Sequence, residues 1–207
     1  MNKINITKEK IRLVLITFIS VISMGMSLSV LNLINWGTDP FTYMNIGIAD
    51  RLNITFGNWQ ILLNITMFIP VIIWGRKHIG IGTIFNMILV GYSMDFFSWI
   101  WLQTGLNTIF SEILIKIVIM IPALAIFVFS AATYMSTDMG TSPYDALPFM
   151  LSAKIPKIPF KYIRFCWDST AVIIGFVITR KLGIVTVAMT LFLGQAVSFV
   201  KEKFFKN

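Results

Sequence analysis

The stretch WGTDPFTY, from Trp36 to Tyr43, returns half a chain later as MGTSPYDA, from Met139 to Ala146. Both copies contain Gly-Thr-x-Pro followed by an aromatic residue, and Gly37 and Gly140 are 103 positions apart. The same turn at this distance in a chain of 207 residues predicts two related halves, residues 1–105 and 106–207.

Further matches at the same offset support this duplication. RKHIGIGT, from Arg76 to Thr83, is similar to RKLGIVT, from Arg180 to Thr186, after deletion of one residue. The positions that then correspond are Gly80 with Gly183, Thr83 with Thr186, and Gly91 with Gly194. Each half therefore repeats more than its turn.

The composition indicates an integral membrane protein, because 57% of the residues are hydrophobic and the mean hydropathy is +0.81. A helix needs roughly 20 apolar residues to cross a bilayer. Six segments approach or exceed this length with at most one acidic residue each: Leu13–Thr38, Leu52–Gly75, Ile79–Trp101, Ile117–Thr137, Phe165–Thr179 and Leu182–Val200.

Three spans in each half is an odd number, so the second half should enter the membrane in the opposite orientation to the first. The predicted fold is an all-α membrane protein, with six transmembrane helices arranged as two inverted three-helix repeats. Each repeat should contain a short broken or amphipathic helix after its Gly-Thr-x-Pro turn. Inverted repeats are typical of secondary transporters, whose binding sites lie where the repeats meet. A duplication kept only for packing is the alternative.

The net charge of +8 could indicate a nucleic-acid partner, but the distribution of basic residues argues against one. With the N-terminus in the cytoplasm, six crossings leave only Arg51, Lys116, Arg180 and Lys181 outside, and the other 13 Lys and Arg residues inside. The positive-inside rule predicts such a bias. We therefore expect a multi-pass protein of the bacterial cytoplasmic membrane with both termini in the cytoplasm, in contact with the lipid bilayer and not with nucleic acid.

The two turns have the composition of helix starts. Gly37 and Gly140 allow the chain to leave a helix, and Pro40 and Pro143 suit the first position of the next one. The residues between them provide N-cap oxygens: Thr38, Asp39, Thr141 and Ser142. A helix N-terminus directed into a cavity can bind an anionic group. The alternative is a capped helix at the membrane interface that fixes the entry angle of the next span.

Ionisable residues within spans are costly and are usually functional. Asp168 aligns with Asn64 when one residue is inserted, and it is a candidate proton or cation relay. Pairing with Arg164, one turn away, is the structural alternative. Asp95 lies on a stripe of small residues in the third span, where packing alone does not require a carboxylate. It could instead lie near the interface, in contact with water.

The remaining candidate substrate-binding residues are less distinctive. Asn86 and Gln195 are polar residues in spans, and bridging between helices would also explain them. Asp145 and Asp39 lie in the turns, where Asp39 could be only a helix cap. We expect a polar cavity near mid-membrane, lined by Asn64, Asn86, Asp95 and Asp168, with the turns Gly37–Pro40 and Gly140–Pro143 at or near its two ends. Such a cavity suits a zwitterion or an organic cation better than a simple anion.

The sequence contains no pattern typical of an enzyme. We expect no metal and no cofactor, because the single histidine, His78, lies in a basic turn and no metal-ligand spacing or phosphate-binding loop is present. A single cysteine, Cys166, excludes an internal disulfide.

The segment GTDPFTY, together with GIGTIFNMILVGYSMDFF, resembles the YczE/YyaS/YitT-type bacterial integral membrane proteins. The residues that carry this resemblance are Gly37, Pro40, Phe41, Gly80, Gly82, Thr83, Asn86, Val90, Gly91 and Asp95. The second half departs from the pattern, with Met189 in place of Asn86 and Ser198 in place of Asp95. The resemblance implies a bacterial inner-membrane protein, and any polar site should be asymmetric.

These observations favour a small secondary transporter or exporter of an unidentified polar or amphipathic molecule. We expect a homodimer, because six spans form a thin bundle. Two alternatives remain open at this point. The chain could be the substrate-capturing subunit of a multi-component transporter, or a membrane scaffold that transports nothing.

Overall fold

The structure is a computed structural model, which describes residues 3–106, 108 and 112–205. Lys206, counted above among the basic residues of the cytoplasmic side, lies outside this range. The described residues form helices and connecting turns and contain no strand. The helices are α1 (Lys3–Ile34), α2 (Pro40–Leu52), α3 (Phe56–Trp74), a 3₁₀ turn (Arg76–His78), α4 (Ile81–Gln103), α5 (Ile113–Ser136), α6 (Pro143–Lys154), α7 (Phe160–Thr179) and α8 (Ile184–Phe205).

The predicted helix plan is confirmed. Within the described residues, six helices are long and apolar enough to cross a membrane: α1, α3, α4, α5, α7 and α8. The other two, α2 and α6, have 13 and 12 residues and follow the two Gly-Thr-x-Pro turns. At 1.5 Å per residue they are too short to cross.

The first span ends earlier than the hydropathy predicts, at Ile34 and not at Thr38. Asn35 adopts a left-handed conformation with φ of 59°, and Gly37 follows with φ of 107°. Gly140 has nearly the same φ, 105°. Residues with a Cβ rarely adopt such values, so glycine is required in both turns.

Both short helices begin with a side-chain cap followed by proline. Asp39 Oδ1 accepts a hydrogen bond from Thr42 N–H at 3.2 Å, and Ser142 Oγ accepts one from Asp145 N–H at 3.0 Å. Pro40 and Pro143 occupy the first helical position, where the missing N–H leaves no hydrogen bond unmade. The local sequence thus determines where both helices begin.

The bundle is centred on α1, which packs along α4 and α5. Helix α3 packs on α4, and α8 packs on α5. Close approach of α3 and α4 depends on Gly57 and Gly91, since a Cβ built on Gly91 would lie 2.7 Å from the Gly57 Cα. The short helix of each half packs on a span of the other half: α2 packs on α7, and α6 packs on α3.

The starts of α1 and α4 and the ends of α5 and α8 lie at one end of the bundle, which we call the terminal end. Thr17 and Thr137 join α1 to the end of α5 through their hydroxyls, 2.9 Å apart, and the Lys201 ammonium lies 3.5 Å from the Met135 carbonyl. The opposite end, with the α1–α2 and α7–α8 connections, is the far end.

The two halves exchange equivalent contacts through their turns. Gly82 N–H of the first half donates to the Met139 carbonyl of the second at 2.8 Å. Val185 N–H of the second half donates to the Trp36 carbonyl of the first at 3.0 Å. The two donors are 103 positions apart in the sequence, and so are the two acceptors. Each turn is therefore held by the first residues of a helix that belongs to the other half.

Candidate functional site

A cavity of about 530 Å³ lies between the two halves, and we call it the central cavity. Its inner wall includes Asp39, Gln60 and Asn86, and it opens at the terminal end beside the exposed residues Asp138 and Lys201. This volume falls in the range of sites that hold small molecules, about 300–1,000 Å³.

The starts of α2 and α6 meet at this cavity. The rings of Phe41 and Tyr144 stack with centroids 4.2 Å apart, although these residues begin short helices in different halves. Helix N-termini carry partial positive charge, so both helices present that charge to the same region. The starts of one short helix from each half therefore meet beside the central cavity.

One wall of the central cavity is a saturated ionic network of the second half. The Arg164 guanidinium lies 2.5 Å from Asp145 Oδ1 and 2.8 Å from Asp168 Oδ2. Tyr144 O–H donates to the other Asp168 oxygen at 2.7 Å, and Ser142 O–H donates to the other Asp145 oxygen at 2.7 Å. All four carboxylate oxygens thus have partners, and Asp168 forms the pair with Arg164 that was the structural alternative.

The corresponding residues of the first half lack such partners. Insertion of one residue aligns Gln60 with Arg164 as well as Asn64 with Asp168. Gln60 is 3% exposed and Asn64 is 0% exposed. Gln60 Oε1 and both side-chain polar atoms of Asn64 have no hydrogen-bond partner. Buried polar groups are usually hydrogen-bonded, and leaving one unmade costs about 1–3 kcal/mol.

Asp39 also has an unsatisfied polar atom. Its Oδ1 caps α2, while its Oδ2 is buried without a hydrogen-bond partner. Asp39 lies in the turn between α1 and α2, outside the six spans, and burial raises its pKa to about 6. The hydrogen bonds from Thr42 oppose this increase, and the charges of Asp168 and Asp145 add to it.

A second cavity of about 550 Å³ opens at the far end, beside the exposed residues Asp50 and Arg51. Gly37 and Thr38 line this far cavity, whereas Asp39 lines the central one. Thr38 N–H donates to Thr186 Oγ1 at 3.1 Å, which ties the turn to the start of α8. The first Gly-Thr-x-Pro turn is therefore the partition between the two cavities.

Most of the predicted site residues lie around this partition. Those that line the central cavity are Asp39, Asn86, Thr141, Ser142 and Asp145, and Asp168 is bonded to its wall. Pro40 and Pro143 begin the short helices. A Cβ built on Gly140 would lie 2.5 Å from Gly80 N, so Gly140 serves close packing of its turn on α4.

Asn64, Asp95 and Gln195 line neither cavity, which corrects their inclusion with the cavity residues. Asp95 Oδ2 accepts a hydrogen bond from Gly57 N–H at 2.8 Å, so it satisfies a donor at the start of α3. Gln195 is on an exposed part of α8. Helical spacing put Asp95 in line with the glycines, but it does not determine which neighbouring group its carboxylate meets.

Sequence analysis missed Gln60 and Tyr144. Gln60 lies four residues before Asn64, as Arg164 lies four before Asp168, so extending the repeat alignment by one turn would have identified it. Tyr144 is the residue at which the second copy carries a hydroxyl and the first has Phe41. Among the described residues, no group of three or more His, Cys, Asp or Glu side chains could hold a metal ion.

Comparison with known proteins identifies the family. Residues 11–202 match DUF6198, a family of unknown function, and the chain belongs to it. The uncharacterized protein YyaS of Bacillus subtilis is 27% identical over 135 residues, which cover 64% of each chain. The uncharacterized membrane protein YczE of the same organism is 23% identical over 118 residues, 57% of this chain and 52% of that one.

An uncharacterized protein of Haemophilus influenzae is 21% identical over 188 residues, 90% of this chain and 81% of that one. The chain spans less than two thirds of the length of both Bacillus relatives. No solved structure matches. The expected resemblance to YczE- and YyaS-type proteins is confirmed, and the chain is a multi-pass membrane protein of a family without an assigned activity.

Proposed function

We propose that this member of DUF6198 is a secondary transporter or exporter of a small polar or amphipathic molecule. The observation that carries the proposal is the central cavity, where the starts of two non-spanning helices meet beside a partly buried Arg164–Asp145–Asp168 network. Charged groups within a membrane bundle are expensive, and they usually face a substrate or ion pathway.

The arrangement of the two cavities supports transport over simple capture. They open at opposite ends, have similar volumes, and are divided by the turn that contains Thr38 and Asp39. A barrier this thin can be opened on one side and closed on the other by a small displacement of α2. Transporters with broken helices use such displacements around a fixed site.

The reciprocal Gly82–Met139 and Val185–Trp36 hydrogen bonds support the inverted-repeat arrangement as part of this proposal. If the halves are related by a two-fold axis in the membrane plane, exchanging their conformations moves the opening from the terminal end to the far end. The 13-to-4 division of basic residues supports a cytoplasmic location for the terminal end. This structure would be the inward-open state.

Thiol labelling of a cavity residue tests transport without knowledge of the substrate. Val90 lines the central cavity and is buried, so Val90→Cys is placed in a Cys166→Ser background and the purified protein is reconstituted in sealed vesicles. A membrane-impermeant maleimide is then applied to one side at a time. We expect labelling from both sides, because alternating access exposes the cavity to each in turn.

Two exposed positions serve as controls of sidedness. Lys157→Cys should react only from the terminal side, and Thr108→Cys only from the far side. Labelling of Val90→Cys from the terminal side alone would contradict the proposal and favour a static scaffold. Labelling from both sides only after addition of an ATPase partner would favour the capture subunit of a multi-component transporter.

A further inference from the structure

We propose that the central cavity contains a subsite for a protonated amine, formed by Asp39 Oδ2 and Gln60 Oε1. This inference rests on the proposed function, because it names the chemical class of the molecule that the cavity takes. It assigns the positively charged group of the substrate to the wall that the first half contributes. In the ionic network of the second half, every carboxylate oxygen already accepts a hydrogen bond.

The first argument is the state of these two acceptors. Asp39 is 7% exposed and Gln60 is 3% exposed, and both line the central cavity. Neither Asp39 Oδ2 nor Gln60 Oε1 receives a hydrogen bond. Two residues that line one cavity, each with a buried acceptor lacking a partner, are complementary to a group that donates several hydrogen bonds and carries a positive charge.

The second argument is the comparison between the halves. In the second half, the cation that faces the carboxylates is part of the chain, because Arg164 bridges Asp145 and Asp168. The aligned residue of the first half is Gln60, which is shorter and neutral. The first half has neutral residues at all three of these positions, and among the described residues Asp39 has no ion-pair partner. A ligand ammonium would occupy the role on this wall that the guanidinium has on the other.

The third argument is the charge around the meeting point. Asp39, Asp145 and Asp168 provide three carboxylates there, and Arg164 is the one basic side chain that the described structure pairs with them. Tyr144 and Ser142 contribute the hydroxyl groups bonded to this network. Toward the mouth, Asp138, His78 and Lys201 line the same cavity. One added positive charge brings the centre closer to neutrality, whereas an added anion would increase the imbalance.

The cavity also has room for an apolar body beside the ammonium. Phe41 and Tyr144 form a stacked pair on its wall, and Phe127 and Phe149 line it as well. A volume of about 530 Å³ is far larger than a bare monovalent metal ion requires. The combination fits an organic amine of small size, with its charge at Asp39 and its apolar part on the aromatic wall.

Binding of 2-phenylethylamine to the purified full-length chain tests this assignment, with 2-phenylethanol as the uncharged isostere. Affinity is measured by isothermal titration in detergent at pH 7.5. We expect the amine to bind and the alcohol to bind at least about tenfold more weakly, as expected for loss of a charge-assisted hydrogen bond. Equal affinities for the two compounds, or no binding of the amine, would overturn the assignment.

Two variants locate the subsite. Asp39→Asn keeps the helix cap, because Asn caps as well as Asp, but removes the charge. It should weaken amine binding by about 10- to 100-fold. Gln60→Leu removes the second acceptor at similar size and should weaken binding by roughly fivefold or more. Glu112→Gln, an exposed acid-to-amide change outside the cavity, should bind as the original chain does.

Thermal unfolding of each variant separates a lost site from a lost fold. If Asp39→Asn does not fold, the Gln60→Leu result alone decides. The organic-amine assignment would be overturned in favour of a metal cation by two results together. Sodium chloride would displace the amine, and Asp39→Asn would weaken sodium binding to a similar extent. Amine binding without vesicle labelling from both sides would uphold the subsite and contradict transport, so the two proposals fail separately.

Discussion

The Arg164 guanidinium on α7 lies 2.5 Å from the Asp145 carboxylate on α6, and this contact ties the start of the short helix to a span of the same half. Asp168 completes the arrangement one turn along α7. The Arg164 and Asp145 side chains are both 20% exposed, so water reaches the pair only in part. The aligned positions of the first half contain Gln60 and Asn64, without any charge.

Removing the cation of this network should destabilise the fold. Arg164→Gln leaves Asp145 and Asp168 facing each other without a counter-charge, which typically costs about 3–5 kcal/mol at buried pairs. We expect a lower thermal midpoint in detergent. The double variant Arg164→Gln with Asp168→Asn reproduces the Gln-x-x-x-Asn pattern of the first half and should recover part of the loss. An unchanged midpoint for Arg164→Gln alone would contradict the role assigned to the network.

The turn glycines should resist substitution. Gly140→Ala places a Cβ on a residue with φ of 105° and within 2.5 Å of Gly80 N and Thr83 Oγ1. We expect a loss of more than about 1 kcal/mol in the free energy of unfolding, measured by thermal or denaturant unfolding. Gly194→Ala is the matched control, because nothing lies within 4 Å of its Cβ and alanine favours a helix. Equal effects of the two changes would refute this account.

Asp95 should matter for stability and not for ligand binding. Asp95→Ala removes the acceptor for Gly57 N–H and leaves a helix-start donor unpaired, which should cost about 1–3 kcal/mol. Asp95→Asn keeps an oxygen acceptor and should lose less. Titration with 2-phenylethylamine should give unchanged affinity for both variants. A large loss of affinity in a well-folded Asp95→Asn protein would return this residue to the site.

Amine binding should depend on pH through Asp39. Because its pKa is raised to about 6, the carboxylate is ionised at pH 7.5 and becomes protonated as the pH falls through 6. An aliphatic amine stays protonated over this range. Affinity should therefore fall below pH 6, by up to roughly tenfold per unit.

The pH profile of Asp39→Asn should be flat, while that of His78→Gln should keep the decline. The His78 control matters because it lines the cavity mouth, although burial and the charge of Lys77 lower its pKa. If the affinity of Asp39→Asn still falls below pH 6, a group other than Asp39 is responsible for the pH dependence. Calorimetry in buffers of different ionisation enthalpy would also detect the proton that Asp39 releases when the amine binds near pH 6.

Labelling of single cysteines should place the terminal end in the cytoplasm. Lys157→Cys, in a Cys166→Ser background, should be protected from an impermeant maleimide in intact cells and react after lysis. Thr108→Cys should react in intact cells. This orientation is expected because the basic residues are concentrated on one side, as the positive-inside rule describes. Reaction of Lys157→Cys in intact cells would reverse the orientation.

Several features could be predicted from the sequence because they depend on local chemistry. The apolar lengths identify six spans, and Gly37, Pro40, Gly140 and Pro143 identify two breaks followed by short helices. These signals act within a few residues, because glycine permits backbone conformations that other residues rarely adopt and proline leaves no hydrogen bond unmade at a helix start. They were sufficient for the helix plan, although the left-handed conformation of Asn35 ended the first span earlier than hydropathy indicates.

The composition of the site was decided by tertiary contacts. Asp95 and Asp39 are both aspartates near span ends, yet Asp95 meets the start of α3 while one oxygen of Asp39 remains buried without a partner beside a cavity. Gln60 gains its importance only because α3 faces the meeting point of α2 and α6. Sequence by itself determined where helices start and stop, since those choices are made by neighbours along the chain. Only the folded bundle decided which polar atoms are satisfied, because partners such as Gly57 for Asp95 and Asp145 for Arg164 belong to other helices.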